Sequence, residues 1–193
     1  LDRACRTGQW YVDQLTKESL GEIGGRCVGF VGFGAVPQIL APVVRAMGAD
    51  VVYTATGAKP VSYPFLSLEE LLRRADIVSL HLPLGPDTEQ LLDERRLAMM
   101  QPGSFLINTA RGGLVDEAAL CAALSGGHLA GAGLDVFAGE PVAADNPLFA
   151  LDNVSVAPHL AWLTRETFSR SLEIAAANTL AVRDGTPLQY RVA

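Results

Sequence analysis

Two glycines one residue apart, Gly32 and Gly34, end the uncharged run Val28-Gly29-Phe30-Val31-Gly32-Phe33-Gly34-Ala35-Val36-Pro37. A GxG that leaves a buried strand and opens a helix is the setting in which backbone receives the pyrophosphate of a dinucleotide. Gly32 would permit the tight turn. Gly34 has no side chain to hold the phosphates away from the helix N-terminus, where unpaired N–H groups and the helix dipole favour an anion. Pro37 stands where the GxGxxG pattern has its third glycine. A first-turn N–H has no intrahelical acceptor, so proline is tolerated there, at the loss of a close helix-to-strand contact. Pro42 falls inside the same helix and predicts a kink or a distorted turn. Taken alone, a GxG is equally the mark of a strand-to-helix turn that binds no nucleotide.

A second chemical clue is an omission. Where an acidic side chain would hold the adenosine ribose, the chain reads Tyr53-Thr54-Ala55-Thr56-Gly57-Ala58-Lys59. No carboxylate there would repel a 2′-phosphate, and Thr54 and Thr56 with Lys59 could bind one, so the reading leans slightly to NADP(H) and leaves NAD(H) open. For Lys59 by itself, a plain polar loop exit is the favoured reading.

Such a turn requires strands and crossovers in alternation, and the chain supplies them. Short apolar runs at Val28 to Phe33, Val51 to Thr54, Ile77 to Leu82, Ser104 to Thr109, Leu129 to Val136 and Val154 to Ala157 read as strands. Between them Ser67 and Glu70 form a capping box for a helix that ends on Arg73 and Arg74, and Asp116 caps another that runs to Gly126. A final helix after Thr164 repeats Phe168, Leu172, Ala175 and Ala176 at helical spacing and stops near Gly185 and Pro187. A βαβ series of this length predicts an α/β fold, a doubly wound parallel sheet of the Rossmann dinucleotide-binding type, with ligands at the carboxyl ends of the strands.

From Ile77 onward the residues become more specific. Ser79-Leu80-His81-Leu82-Pro83-Leu84 is followed by Asp87-Thr88, and then by Gly103-Ser104-Phe105-Leu106-Ile107-Asn108-Thr109-Ala110-Arg111-Gly112-Gly113. Gly131-Ala132-Gly133-Leu134-Asp135-Val136-Phe137-Ala138-Gly139-Glu140-Pro141 and Ala157-Pro158-His159-Leu160-Ala161 complete the series. These four ordered motifs resemble the D-isomer-specific 2-hydroxyacid dehydrogenase family, which includes glyoxylate and hydroxypyruvate reductases and phosphoglycerate dehydrogenases, and the resemblance runs through nearly the whole chain.

The resemblance implies hydride transfer between NAD(P)H and a small 2-oxo acid or D-2-hydroxy acid. It makes Arg111, Glu140 and His159 the catalytic set. An imidazole titrates near operating pH, so His159 suits a proton donor. Glu140 beside a ring nitrogen would favour the imidazolium and orient it. Arg111 offers a permanent cation for the substrate carboxylate and for charge developing on oxygen. Read singly, each has a plainer role in a loop, in solvent or at a strand end; together they follow three successive strands at the ligand-binding edge. By the same resemblance Ala35 and Val36 would lie along the pyrophosphate, and Leu82, Pro83 and Thr88 near the adenosine. Thr109 and Ala110 would sit beside the nicotinamide ribose with Arg111 and His159 close by, and Asp135 would meet the nicotinamide amide. Core packing is the alternative for Val36 and Leu82. His81 reads as a hydrogen-bonded histidine of the third strand and His128 as a solvated turn residue. Trp162 could wall a substrate pocket or pack in a core or interface.

Bulk properties narrow the remaining classes. With 193 residues, 49% of them hydrophobic and 19% charged, the chain suits one folded main body. A net charge of −6 without clustered Lys or Arg argues against nucleic acid. Gly32, Gly34, Pro37, Gln38 and Pro42 interrupt the uncharged run from Cys27 to Val44, against a membrane span. Cys5, Cys27 and Cys121, without CxxC spacing, suggest neither a disulfide framework nor a metal site and fit a reducing cytoplasm. The expected organisation is a linker helix over 1–20 from an absent substrate domain, a dinucleotide-binding domain over 21–163, and a C-terminal helix and tail over 164–193 returning toward that missing domain. A homodimer is expected from the resemblance, as is little activity from the fragment alone. A non-catalytic dinucleotide sensor or corepressor-like protein, which the family also contains, is the competing reading.

Overall fold

The structure is a computed structural model that describes residues 5–10 and 21–190. Most of the linker helix expected over 1–20 therefore lies outside the described residues, as does the end of the tail. Six strands form one parallel sheet: β1 (Cys27–Val31), β2 (Asp50–Thr54), β3 (Ile77–Leu80), β4 (Ser104–Asn108), β5 (Leu129–Leu134) and β6 (Val154–Val156). Their order is β2-β1-β3-β4-β5-β6. The chain first steps outward from β1 to β2, then returns past β1 to continue on its other side. That reversal opens a crevice at the carboxyl ends of β1 and β3. Beyond β2 a single parallel bridge, Tyr53 to Phe65, stands where a further strand would lie.

Each predicted strand is present, and each ends one or two residues earlier than its apolar run, except β2, which ends at Thr54 as expected. The residues that drop out, Gly32 and Phe33, His81 and Leu82, Thr109, Asp135 and Val136, and Ala157, form the loops of the carboxyl edge. Hydrophobicity continues past the point where ladder pairing stops.

Two apolar clusters sandwich the sheet. On one side Ala41 and Val44 of α1 (Ala35–Ala46) pack with Val28, Phe30, Val51 and Tyr53. On the other, Leu71 and Leu72 of α2 (Leu68–Arg74), Leu97 of α3 (Glu94–Leu97) and Leu120 and Leu124 of α4 (Glu117–Ser125) cover Val52, Val78, Leu80, Leu106 and Leu134. The caps agree with the sequence: Ser67 and Glu70 make the reciprocal capping box of α2, and Asp116 accepts from the N–H groups of Ala118 and Ala119. Helix α1 continues through Pro42 to Ala46 as one element, so the proline does not end it. Pro42 faces solvent, and water can satisfy the Gln38 carbonyl that it leaves without a donor. Helix α5 (Arg165–Asp184), capped by Thr164 and closed by Gly185 at φ +65°, buries none of its side chains among the described residues.

Gly112 couples the exits of two neighbouring strands. A β-carbon there would overlap the backbone carbonyl of Phe137, which holds the loop after β4 directly against the exit of β5. Neighbouring backbone cannot yield as a flexible side chain could. Gly112→Ala should therefore lower stability by about 3 kcal/mol, read as a fall in the urea unfolding midpoint; an unchanged midpoint would show that the two loops are not so tightly joined.

Candidate active site

The carboxyl edge carries two adjoining clefts of about 490 Å³ each. One is lined by Gly32, Gly34, Thr54, Thr56, Lys59, Leu82, Pro83 and Thr88. The other is lined by Gly34, Ala35, Val36, Thr109, Ala110, Arg111, Asp135, His159 and Trp162. Gly34, His81, Leu82 and Pro83 belong to both, so the clefts form a continuous groove across the switch point. Every residue expected from the sequence to meet a cofactor lines this groove. A third hollow of about 590 Å³ shares Asp135 and His159 with the groove; Glu140 and groups such as Phe137, Val142, Phe149 and Val156 wall the rest, and no Lys or Arg lines it.

At the centre of the groove Gly32 adopts φ +90°, and a β-carbon on it would collide with the carbonyl oxygen of His81. Gly34 is the N-cap of α1, and space above it is open, since an added β-carbon would meet nothing within 4 Å. No side chain caps α1, and its first turn holds no acidic residue. These features fit a pyrophosphate: open space, outward N–H groups, and no competing negative charge. Val36 is exposed, which sets aside its core-packing alternative, whereas Leu82 is half-buried and both packs on the core and borders the groove. The Thr88 hydroxyl donates to the Pro83 carbonyl at 2.8 Å and accepts from the Gly85 N–H at 2.8 Å, so this side chain also shapes the loop that borders the first cleft.

Arg111, Glu140 and His159 arrive on the loops after β4, β5 and β6. His159 Nδ1 lies 2.7 Å from Glu140 Oε2. An ionised carboxylate only accepts hydrogen bonds, so Nδ1 carries a proton and Nε2 is left for other partners. The other Glu140 oxygen accepts the Phe137 N–H at 3.0 Å, which ties the carboxylate to its own loop. The hydrogen bond from His159, then that from Phe137, hold the Glu140 carboxyl below the usual glutamate range, with the charge of Arg111 contributing least. Arg111 is exposed, and its Nη1 donates to the Ala110 carbonyl at 2.6 Å.

Two buried polar side chains brace these loops. Asn108, 1% exposed at the last position of β4, accepts the Ala110 N–H at 3.1 Å and donates to the Arg111 carbonyl at 2.9 Å. Sequence reasoning assigned Asn108 no role; an Asn at a strand exit whose side chain bridges the next three residues was the available signal. Asp135, 5% exposed, accepts the N–H groups of Leu160 and Ala161, each at 2.8 Å. Trp162 is half-exposed beside the groove, with its indole N–H on the His159 carbonyl at 3.0 Å.

Of the two other histidines, His81 is hydrogen-bonded as expected, and His128 departs from its reading. His81 lies just beyond β3, with Nε2 at 2.9 Å from the Ser79 hydroxyl, and burial pushes its imidazole below the ordinary value. His128 is half-buried, with Nε2 enclosed and without a hydrogen-bond partner among the described residues, so the solvated reading is corrected. The Gly126-Gly127 turn folds it inward from the end of α4.

Because the folded-state value of Glu140 is depressed, the pairing stabilises the protein fully above the ordinary glutamate range, and this contribution is lost as pH falls through the lower value. Carboxyl carbon NMR should show Glu140 titrating below the usual glutamate range, and His159→Ala should bring it back toward that range. A Glu140 midpoint that does not respond to His159→Ala would contradict the pairing.

Comparison with known proteins agrees with this geometry. The family model described as the D-isomer specific 2-hydroxyacid dehydrogenase, NAD binding domain, matches residues 1–161. D-3-phosphoglycerate dehydrogenase of Mycobacterium tuberculosis is 46% identical over 167 residues, covering 83% of this chain and 31% of that protein. Glyoxylate reductase of Korarchaeum cryptofilum is 39% identical over 190 residues, covering 95% of this chain and 57% of that one. The solved structure of an acyclic imino acid reductase in complex with NADPH and D-Arg superposes with a TM-score of 0.90 at 31% identity, covering 99% of this chain and 61% of that one. The chain thus spans less than two thirds of the length of these relatives. With its motifs, its fold and its groove in agreement, the chain belongs to the NAD-binding domain of the D-isomer-specific 2-hydroxyacid dehydrogenase family.

Proposed function

We propose that this chain is the cofactor-binding and catalytic-residue part of an oxidoreductase that transfers a hydride between NAD(P)H and a small 2-oxo acid or D-2-hydroxy acid. The observation that carries this reading is the 2.7 Å pairing of His159 with Glu140 at one end of a groove that also holds Arg111 and runs to the glycine turn. A bound nicotinamide supplies or accepts the hydride. Arg111 binds the substrate carboxylate and steadies negative charge on the carbonyl oxygen. His159 delivers the proton from Nε2 in reduction and removes it in oxidation, while Glu140 keeps the ring oriented through Nδ1. The names of the relatives, reductases and dehydrogenases, favour this reading over a corepressor-like one.

For the cofactor itself, the N–H groups around Gly34, Ala35 and Val36 receive the pyrophosphate. Gly32, Thr54, Thr56, Leu82, Pro83 and Thr88 border the adenosine, and Thr109, Ala110 and Asp135 the nicotinamide end. The groove has no carboxylate after β2, and Thr54, Thr56 and Lys59 line that end together, which supports a preference for NADP(H). Solved relatives include complexes with NADPH and with NAD⁺, so this lean rests on the groove lining alone. Three unpaired cysteines suit a reducing compartment such as the cytoplasm.

Two surfaces support partners. Val36, Ile39, Leu40, Val43 and Met47 are exposed along one face of α1, an apolar stripe that would be covered if α1 pairs with its own copy in a homodimer. The exposed length of α5, with Phe168 and Leu172, is suited to a substrate domain supplied by residues outside this chain. That domain would close the groove and exclude water, and without it substrate is poorly held.

Four outcomes are expected. NADPH should bind the chain more tightly than NADH in parallel titrations; the reverse order would refute the NADP(H) preference. In a form of the protein as long as its relatives, NAD(P)H should be consumed with members of a panel of 2-oxo acids. There His159→Asn should lower turnover by about 10² to 10⁴-fold while cofactor still binds; cofactor binding with no consumption of any 2-oxo acid would overturn the enzyme reading. Ile39→Glu combined with Val43→Glu should shift sedimentation from dimer to monomer, and an unchanged sedimentation coefficient would place the dimer elsewhere.

A further inference from the structure

His159 has a backbone φ of +56°, in the left-handed region that residues with a β-carbon seldom enter. Such a conformation persists only where its surroundings over-determine it. Here one residue, Asp135, supplies most of the restraint. The Asp135 carbonyl accepts the His159 N–H at 2.8 Å, Asp135 Oδ1 accepts that of Leu160 at 2.8 Å, and Asp135 Oδ2 accepts that of Ala161 at 2.8 Å. Three consecutive amides therefore converge on a single aspartate. Among the described residues no cation pairs with its carboxylate, which is 5% exposed. The amide dipoles are what compensate its charge. On the far side of the loop, the Trp162 indole N–H closes onto the His159 carbonyl.

We propose that Asp135 is the positioning residue for His159, holding its backbone left-handed so that Nδ1 meets Glu140 and Nε2 remains free to serve the substrate. The family role expected for this aspartate, contact with the nicotinamide amide, is separate: each carboxylate oxygen spends one acceptor site on the loop and keeps another. The requirement is for a carboxylate. An asparagine in the same place has one acceptor oxygen, and its NH₂ would face a backbone N–H, donor against donor. Released from Asp135, the loop would relax toward negative φ and carry the imidazole away from Glu140. The catalytic meaning of this inference rests on the reading of His159 as proton donor, but the positioning itself is read without substrate or turnover, so the two fail separately.

The chain contains three histidines, which makes the ring nitrogens directly observable by ¹⁵N NMR. At a pH that leaves the imidazoles neutral, wild-type His159 should show widely separated Nδ1 and Nε2 resonances, the signature of one fixed tautomer. Asp135→Asn should draw them together toward the averaged position, as should Glu140→Gln, while His81 and His128 stay in place. A wild-type separation retained in Asp135→Asn would overturn the proposal. If that variant does not fold, amide exchange in the unaltered chain decides: the N–H groups of Leu160 and Ala161 should exchange at least about tenfold more slowly than in an unstructured peptide, and exchange at the unstructured rate would overturn it equally.

Discussion

Gly32 lies so close to the His81 carbonyl that no side chain fits between them, and the rest of the groove follows from that contact. It brings the exit of β1 under the exit of β3, at the point where the strand order reverses. With β1 turned sharply at φ +90°, the chain enters α1 pointing its N-terminus across the sheet edge rather than away from it. The helix then offers bare N–H groups to whatever lies in the crevice. A side chain at this position would separate the two exits, displace Leu82 and Pro83, and split one groove into two unrelated hollows.

Further along the edge the same problem recurs in polar form. Loops that leave a parallel sheet carry backbone N–H and C=O groups with no ladder partner, and burying them unpaired is costly. Asn108, the last residue of β4, and Asp135, the first residue after β5, solve this side by side. The N–H of Asp135 donates to the Asn108 carbonyl at 3.0 Å, so the two braces are themselves joined. Asn108 matches a loop that presents one N–H and one carbonyl; Asp135 matches a loop that presents two N–H groups. Arg111 and His159 are thereby set by buried side chains rather than by their own exposed contacts, while Glu140 links one loop to the next through His159.

Much of this was legible in the sequence where one residue type has one structural use. Gly32 at a strand exit, the Ser67 and Glu70 capping box and Asp116 as a helix cap all signal local geometry, and each stands where its chemistry requires. Strand ends were less legible. Apolar residues such as Val136 and Ala157 continue the pattern of burial after pairing has stopped, because the core extends under the loops. His128 was misread because a Gly-Gly turn says that the chain bends, not which way the following ring goes. The short helix α3 was absent from the sequence reading, since four residues carry no period. The site was legible as a set of residues through the family motifs. Its wiring was less so: the partners of Asn108 are two and three residues away and were within reach of a local reading, whereas Asp135 acts on backbone 25 and 26 residues further on, which becomes its neighbour only in the fold.

A nicotinamide dinucleotide bound in the groove would bring its reactive ring to the end occupied by Arg111, His159 and Trp162. The chain has two tryptophans, Trp10 and Trp162, and only Trp162 lines the groove. Titration with NADH or NADPH, followed by tryptophan emission and sensitised nicotinamide emission, tests this most directly. Saturable quenching with sensitised emission that is largely lost in Trp162→Phe and retained in Trp10→Phe is the expected result. Absence of quenching by either dinucleotide, or quenching that depends on Trp10 instead, would contradict the account.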